Sequence, residues 1–358
     1  MNDFSPNSLL DLFCIISVAF VALYNYMRMK AGKKGTGYIF FVFFILLFSL
    51  FYRPVNGDFW HYLEMYDLGS GVHNHLEPYF NWLIEEIPNN FLLWRIAIWL
   101  PAAILIAFTY QKLGIQSSMA TFFFCLLGLV GFYYYTRNVL GMSILIFALS
   151  LISSRRLRPS TKIIHTTLII GLFALSWYLH KSMPIYIAVS IMAILLPPNK
   201  RILLYSLLMF PILYGAIYSI SSSVLGLELW LNESSGEEYL EAANTFYSNW
   251  KGVLGLIIKY APIVYFYVIG FNSQLLSDNE EKSYKMFLYL SFFIFYISFL
   301  FFGRGSIMLQ LRLYNSSLLP LSFASSIYFR RCKKPRQLQL FIVLLLVSYM
   351  FSLLYSLV

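Results

Sequence analysis

Residues 313–357 read LYNSSLLPLSFASSIYFRRCKKPRQLQLFIVLLLVSYMFSLLYSL. Two long apolar runs, 313–329 and 338–357, flank a short stretch holding Arg330, Arg331, Lys333, Lys334 and Arg336. A helix that crosses a membrane needs about 20 mainly apolar residues, and lysine and arginine concentrate in loops on the cytoplasmic side. Apolar, basic, apolar therefore reads as two spans joined by an inner turn. The rest of the chain repeats the theme. Of its 358 residues 59% are hydrophobic and only 12% charged, 19% are aromatic, and the mean hydropathy is +0.68. A soluble fold of this length has too few charges to cover so much apolar surface. Disordered chains are poor in the aromatic and apolar residues that abound here.

Twelve candidate spans follow: 9–26, 38–52, 91–110, 118–135, 138–153, 163–179, 183–196, 202–220, 253–271, 286–302, 313–329 and 338–357. Open sheet edges are not tolerated in lipid, so the expected class is all-α, a polytopic integral membrane protein of about 12 helices. It reads as a single polytopic domain over 1–358, with two longer extracytoplasmic loops at 53–90 and 221–252.

Charge tests this reading. Alternating through the spans from an outer N-terminus puts Arg28, Lys30, Lys33, Lys34, Lys112, Arg155, Arg156, Arg158 and Lys162 inside. Lys200, Arg201, Lys282, Lys285 and the five cations of 330–336 join them, eighteen of the 26 in all. Of the 16 acidic residues only Asp278, Glu280 and Glu281 fall inside. The net charge of +10 thus sets orientation and contacts anionic headgroups, and it does not imply nucleic acid. Both termini are expected outside. The N-terminus lacks the basic start of a cleavable leader and carries Asp3 and Asp11 instead. Cys14, Cys125 and Cys332 suggest neither a disulfide framework nor a metal site.

Eight cations break the rule: Arg53, Arg95, Arg137, Lys181, Lys251, Lys259, Arg304 and Arg312. There is no phosphate loop or nucleophile elbow, so chemistry is expected on the outer face, where these cations lie. The first outer loop opens Arg53-Pro54-Val55-Asn56-Gly57-Asp58-Phe59-Trp60-His61-Tyr62. In a helical setting Asp58, His61 and Tyr62 share one face. Glu77-Pro78-Tyr79 follows. The loop offers a cation for phosphate, carboxylates for sugar hydroxyls and aromatic faces for pyranose stacking. An interfacial aromatic belt would contain the same Trp and Tyr. Arg137 sits at the mouth of a tight outer hairpin, where the alternative is snorkelling to headgroups. His180-Lys181-Ser182 joins two apolar runs. A histidine at membrane depth is a candidate proton acceptor, or else an interfacial residue bonded to a helix-end carbonyl. Arg304 and Arg312 flank another outer turn, and guanidinium groups chelate phosphate oxygens in pairs. Lys251 and Lys259 are weaker candidates. His61, His73 and His75 share one loop, but no HExxH helix or cysteine pair accompanies them, so no bound metal is expected. The acidic second loop, with a stretch at 237–247 that fits a surface helix, reads as a lid or as a solvated loop.

Arg53, Gly57, Asp58 and Tyr62, then Glu77-Pro78-Tyr79, resemble the EpsG/Wzy group of bacterial polysaccharide polymerases. Arg137 opening an apolar helix, His180 ending one, and Arg312 before Tyr314 extend the similarity along most of the chain. Asn56-Gly57-Asp58 departs from the Gly-Thr-Asp more usual in that group. The resemblance implies an enzyme similar to other membrane-embedded glycosyltransferases. It would take a glycan from undecaprenyl pyrophosphate and attach it to the non-reducing end of another lipid-linked unit, building O-antigen, capsule or exopolysaccharide. Donor and acceptor are then undecaprenyl-pyrophosphate-linked oligosaccharides at the outer face of the bacterial inner membrane, with a chain-length regulator as a further partner. The expected roles are as follows. Arg53, Arg137 and Arg312, joined by Arg304, hold the pyrophosphate, and Lys181 is a further substrate-binding residue. His180 or Asp58 accepts the acceptor's proton. Tyr62, Trp60 and Glu77 orient sugars. No cofactor or metal is required, because the donor arrives activated. The rival readings are a flippase or transporter for the same lipid-linked units, an O-antigen ligase and a membrane acyltransferase. An acyltransferase would be expected to handle its donor on the cytoplasmic side.

Overall fold

The computed structural model describes residues 8–33, 35–53, 62–64, 66–67, 78–88, 90–129, 136–152, 159–180, 182–221, 250–278, 281–300 and 307–356. Among them all regular structure is helical. In chain order the helices are α1 (Ser8–Lys30), α2 (Tyr38–Phe51), α3 (Pro78–Glu86), α4 (Phe91–Lys112), α5 (Ser117–Phe123), α6 (Thr136–Ile152) and α7 (Pro159–Leu179). They continue as α8 (Met183–Leu195), α9 (Ile202–Ser221), α10 (Trp250–Phe271), α11 (Lys282–Leu300), α12 (Ile307–Cys332) and α13 (Pro335–Ser356).

Each apolar run named above contains a helix, and among the described residues four helices are long and apolar enough to cross a membrane: Leu10–Lys30, Phe91–Lys112, Leu254–Phe271 and Lys282–Leu300. The others are shorter or less apolar over their described residues, so length and composition establish a multi-pass helical membrane protein and not a count of twelve. Large apolar side chains point outward, with Ile39 at 90% exposure and Ile163 and Leu207 beyond two thirds. Small hydroxyl residues are interspersed in the apolar and aromatic core: Ser143, Ser190, Ser291 and Ser322 are wholly buried. Three of these hydroxyls donate to carbonyls of their own helix, such as Ser143 to Val139 at 2.7 Å and Ser190 to Tyr186 at 2.7 Å. An apolar exterior, with buried hydroxyls bonded within their own helices, suits helices that pack closely in lipid.

Three elements differ from the expectations. The loop at 53–90 contains α3, opened by Pro78, whose missing N–H is no loss in a first helical turn. The run at 118–135 is α-helical only to Phe123 and continues as a π-helix over Phe124–Leu129. Helix α12 begins at Ile307, so Arg312 lies within a helix and does not border a turn.

The chain separates into two compact units. The first holds Met1–Leu195 with Leu318–Ser326, and the second Leu196–Ser317 with Ile327–Val358. In the first unit α4 packs on α2 and α6, and α6 packs on α7. Tyr110 of α4 stacks on Phe323 at 4.1 Å and meets the Ser322 hydroxyl at 2.7 Å. At one end the turn after α1 meets the start of α5. There the Gly37 N–H donates to Ser117 Oγ, and the Tyr38 hydroxyl donates to the Ile115 carbonyl. Lys33 and Lys112, both expected inside, lie beside these contacts in the chain. In the second unit α10 packs on α13 and α9 on α11. One of its ends gathers 196–201, 281–289 and 331. Lys285 donates to the Leu196 carbonyl at 2.6 Å, Tyr289 to the Pro197 carbonyl at 2.9 Å, and Arg331 pairs with Glu281 at 2.7 Å. Residues expected on one face of the membrane thus fall together at one end of each unit.

Candidate functional site

Arg53 follows the last turn of α2, and the final carbonyls of that helix have no partner within it. Arg95, one turn into α4, supplies one. Its Nε and Nη2 donate to the Ser49 carbonyl at 3.2 and 2.7 Å, and its guanidinium lies 5.8 Å from the Phe91 ring centre. Arg95 is wholly buried. A fixed cation at a helix C-terminus is favourable, and a hydrogen bond from a charged group is worth about 1.5–3 kcal/mol. From the other side Asp11, in the first turn of α1, accepts the Arg53 backbone N–H at 2.6 Å. Arg53 is therefore held at the point where α1, α2 and α4 meet. The sequence counts Arg95 only as a cation on the wrong side, while the fold uses it to anchor the strand of chain that carries Arg53.

The described part of the first loop packs onto the start of α4. Residues 62–64 and 66–67 are helical. Trp94, 1% exposed, is surrounded by Tyr62, Tyr66, Phe80 and Phe91 with ring centres 5.5–6.3 Å apart. The Tyr66 hydroxyl donates to the Ile87 carbonyl and accepts the Asn90 N–H at 2.7 Å. Burial pushes the Tyr66 phenol above its ordinary value. Tyr62 is buried in this cluster, so its ring anchors the loop. Asp58, Trp60 and Glu77 lie outside the described residues, as do the His61, His73 and His75 group and residues 237–247.

His180 occupies the corner between α7 and α8. The Ser182 backbone N–H donates to His180 Nδ1 at 3.0 Å, and Ser182 Oγ lies 2.7 Å from the same nitrogen. That hydroxyl also lies 3.1 Å from Asn138 Oδ1. Asn138 is the neighbour of Arg137 in the first turn of α6. Two positions singled out separately in the sequence, Arg137 and His180, are thus joined through Asn138 and Ser182. The corner is tightened by Ser176, whose hydroxyl donates to the Gly141 carbonyl at 2.9 Å. A backbone N–H only donates, so Nδ1 accepts and the neutral ring carries its proton on Nε2; the single Ser182 hydroxyl proton then goes either to Nδ1 or to Asn138 Oδ1, and not to both. Sequence reading missed Asn138 and Ser182. Their only signal is that each adjoins, or lies two residues from, a named candidate.

Arg53 and Arg137 stand at helix ends and the imidazole of His180 is oriented at another, residue types that suit binding and stabilising an anion. A search by family model matches residues 36–358 to the EpsG family. The chain belongs to the EpsG family. EpsG proteins are Wzy-like polymerases, so the protein is a multi-pass membrane protein of the polysaccharide-polymerase type. Neither curated proteins nor solved structures give a match. The remaining EpsG candidates are placed as follows. Arg312 lies in the second unit, on α12, and is partly exposed. Lys181 and Arg304 lie outside the described residues.

Proposed function

We propose that this EpsG protein joins undecaprenyl-pyrophosphate-linked oligosaccharide repeats into O-antigen, capsule or exopolysaccharide on the outer face of the bacterial inner membrane. The acceptor hydroxyl attacks the anomeric carbon of the donor glycan. The bond from that carbon to the pyrophosphate oxygen breaks, and the pyrophosphate leaves with the electron pair. Arg53, Arg137, Arg312 and Arg304, with Lys181, hold the pyrophosphate and stabilise the charge it gains. Trp60 and Glu77 orient sugars, on a loop that Tyr62 pins to α4.

The observation that carries this reading is the Asn138–Ser182–His180 chain, because it seats the imidazole beside the helix end that bears Arg137. The direction of the Ser182 N–H makes Nε2 a donor, which favours His180 as a hydrogen-bond donor to the leaving pyrophosphate. The acceptor's proton then goes to the Asp58 carboxylate. The reaction needs no nucleotide and no metal, since the donor is already activated and arginines take the place of a cation. Alanine at Arg53, Arg137, His180 and Arg312, each at normal membrane levels, is expected to shorten the surface polysaccharide to single repeats. Wild-type chain length in all four variants would overturn the assignment.

A further inference from the structure

Lys259 stands nine residues after Trp250 and twelve before Phe271 on α10, inside the apolar stretch Leu254–Phe271. At 1.5 Å per residue Lys259 lies about 8 Å into that stretch from its start and about 18 Å from its end, within the hydrocarbon thickness of a bilayer. An ammonium at such depth is costly, and cations so placed normally face a partner or a substrate path. Among the described residues no carboxylate pairs with it. Its ammonium lies 5.0 Å from the centre of the Tyr314 ring. A ring face offsets only a small part of what an ammonium loses on leaving water.

The surroundings are ordered and mainly aromatic. Tyr314 packs on Tyr260 at 4.8 Å, and its hydroxyl donates to the Lys259 carbonyl at 3.3 Å. Gln310, wholly buried, donates to the Tyr260 hydroxyl at 2.8 Å. Phe295 and Phe299 extend the wall, 5.5 and 6.0 Å from Tyr260. Gln310 and Tyr314 are four residues apart and face α10 together, which holds the ring against the ammonium. All these residues belong to the second unit. A single positive charge in an apolar, aromatic setting lacks an anion, and the ligand that suits it is a phosphate carrying a hydrocarbon chain.

We propose that Lys259 is the cation of a lipid-phosphate site in the second unit, with the buried Tyr314–Tyr260–Phe295 cluster backing the ammonium and the exposed Phe299 as the surface along which the chain lies. The site takes a polyprenyl diphosphate. This rests on the proposed function for the identity of the lipid, but not for the existence of the anion site. The test titrates the purified full-length protein in detergent with farnesyl diphosphate, with phosphatidylglycerol and with farnesol, read by native mass spectrometry. Wild-type protein is expected to bind the diphosphate, Lys259→Met to bind it at least tenfold more weakly, and Lys259→Arg to recover most of the loss. Farnesol should bind weakly to all three. Methionine removes a buried charge, so the thermal stability of Lys259→Met should stay level or rise. If that variant does not fold, Lys259→Gln replaces it.

Equal binding by wild type and Lys259→Met overturns the site, as does wild-type protein that binds no diphosphate. Phosphatidylglycerol binding as tightly as the diphosphate, with the same loss in Lys259→Met, overturns the polyprenyl assignment. A Lys259-dependent diphosphate site in a protein whose deletion leaves polymer length unchanged would sink the proposed function and leave the site standing.

Discussion

His180 is held by a hydrogen bond whose direction is not negotiable: the Ser182 N–H donates and Nδ1 accepts. Asparagine places an oxygen near Nδ1 but nothing near Nε2, and glutamine places an amide N–H near Nε2. His180→Asn should therefore fold at normal levels and lose chain extension by about a hundredfold, the cost of removing one donor to developing charge. His180→Gln should retain clearly more, as measured by polymer formed per unit of membrane protein. If asparagine and glutamine behaved alike, the donor role would fail. Sequence made Arg137 and His180 visible because a cation or an imidazole beside an apolar run is rare. Asn138 and Ser182 were invisible, since 44 residues separate two small polar groups that follow no periodicity. The task of Arg95 was hidden for another reason. Its partner is a backbone carbonyl, and every residue has one.

At the scale of elements, hydropathy locates the apolar helices well because burial in lipid demands runs of apolar residues whatever their order. It does not see the ends. Gln310 and Arg312 depress the hydropathy at the start of α12, yet the helix runs through them from Ile307. Helix α3 spans nine residues and lacks an apolar run, so Pro78 is its one clear mark. The shift to a π-helix at Phe124 has no compositional trace. Close approaches are equally silent. Gly35, in the turn after α1, lies so near the start of α5 that an added Cβ would sit 2.4 Å from the Ser118 nitrogen. That nitrogen is backbone and has little room to move. Gly35→Ala is expected to destabilise the protein by about 1–3 kcal/mol, the usual cost of overpacking, seen as a lower melting temperature in detergent. An unchanged melting temperature would mean that the turn does not press on α5 as described.

Across the whole molecule the excess of positive charge resolves into geometry. The contacts at 196–201, 281–289 and 331 gather two expected inner turns and the end of α12 at one end of the second unit, and those at 37–38 and 115–117 join two expected inner turns of the first. The cations left over are the informative ones, and the fold separates their tasks. Arg95 clamps a helix end, Arg53 and Arg137 stand at helix ends of the first unit, and Lys259 lies within a span of the second. Family membership supplies the class of activity, and the proposal adds a lipid-linked pyrophosphate as what Arg53 and Arg137 hold. The measurement that tests this most directly is the surface polysaccharide profile of a strain lacking the protein, resolved by gel and compared with the same strain carrying it again. Polymerase function predicts single repeat units at the surface, with the full ladder restored on return. A full-length ladder in the deletion strain would contradict it, and so would repeat units retained inside the cell or complete polymer left unattached.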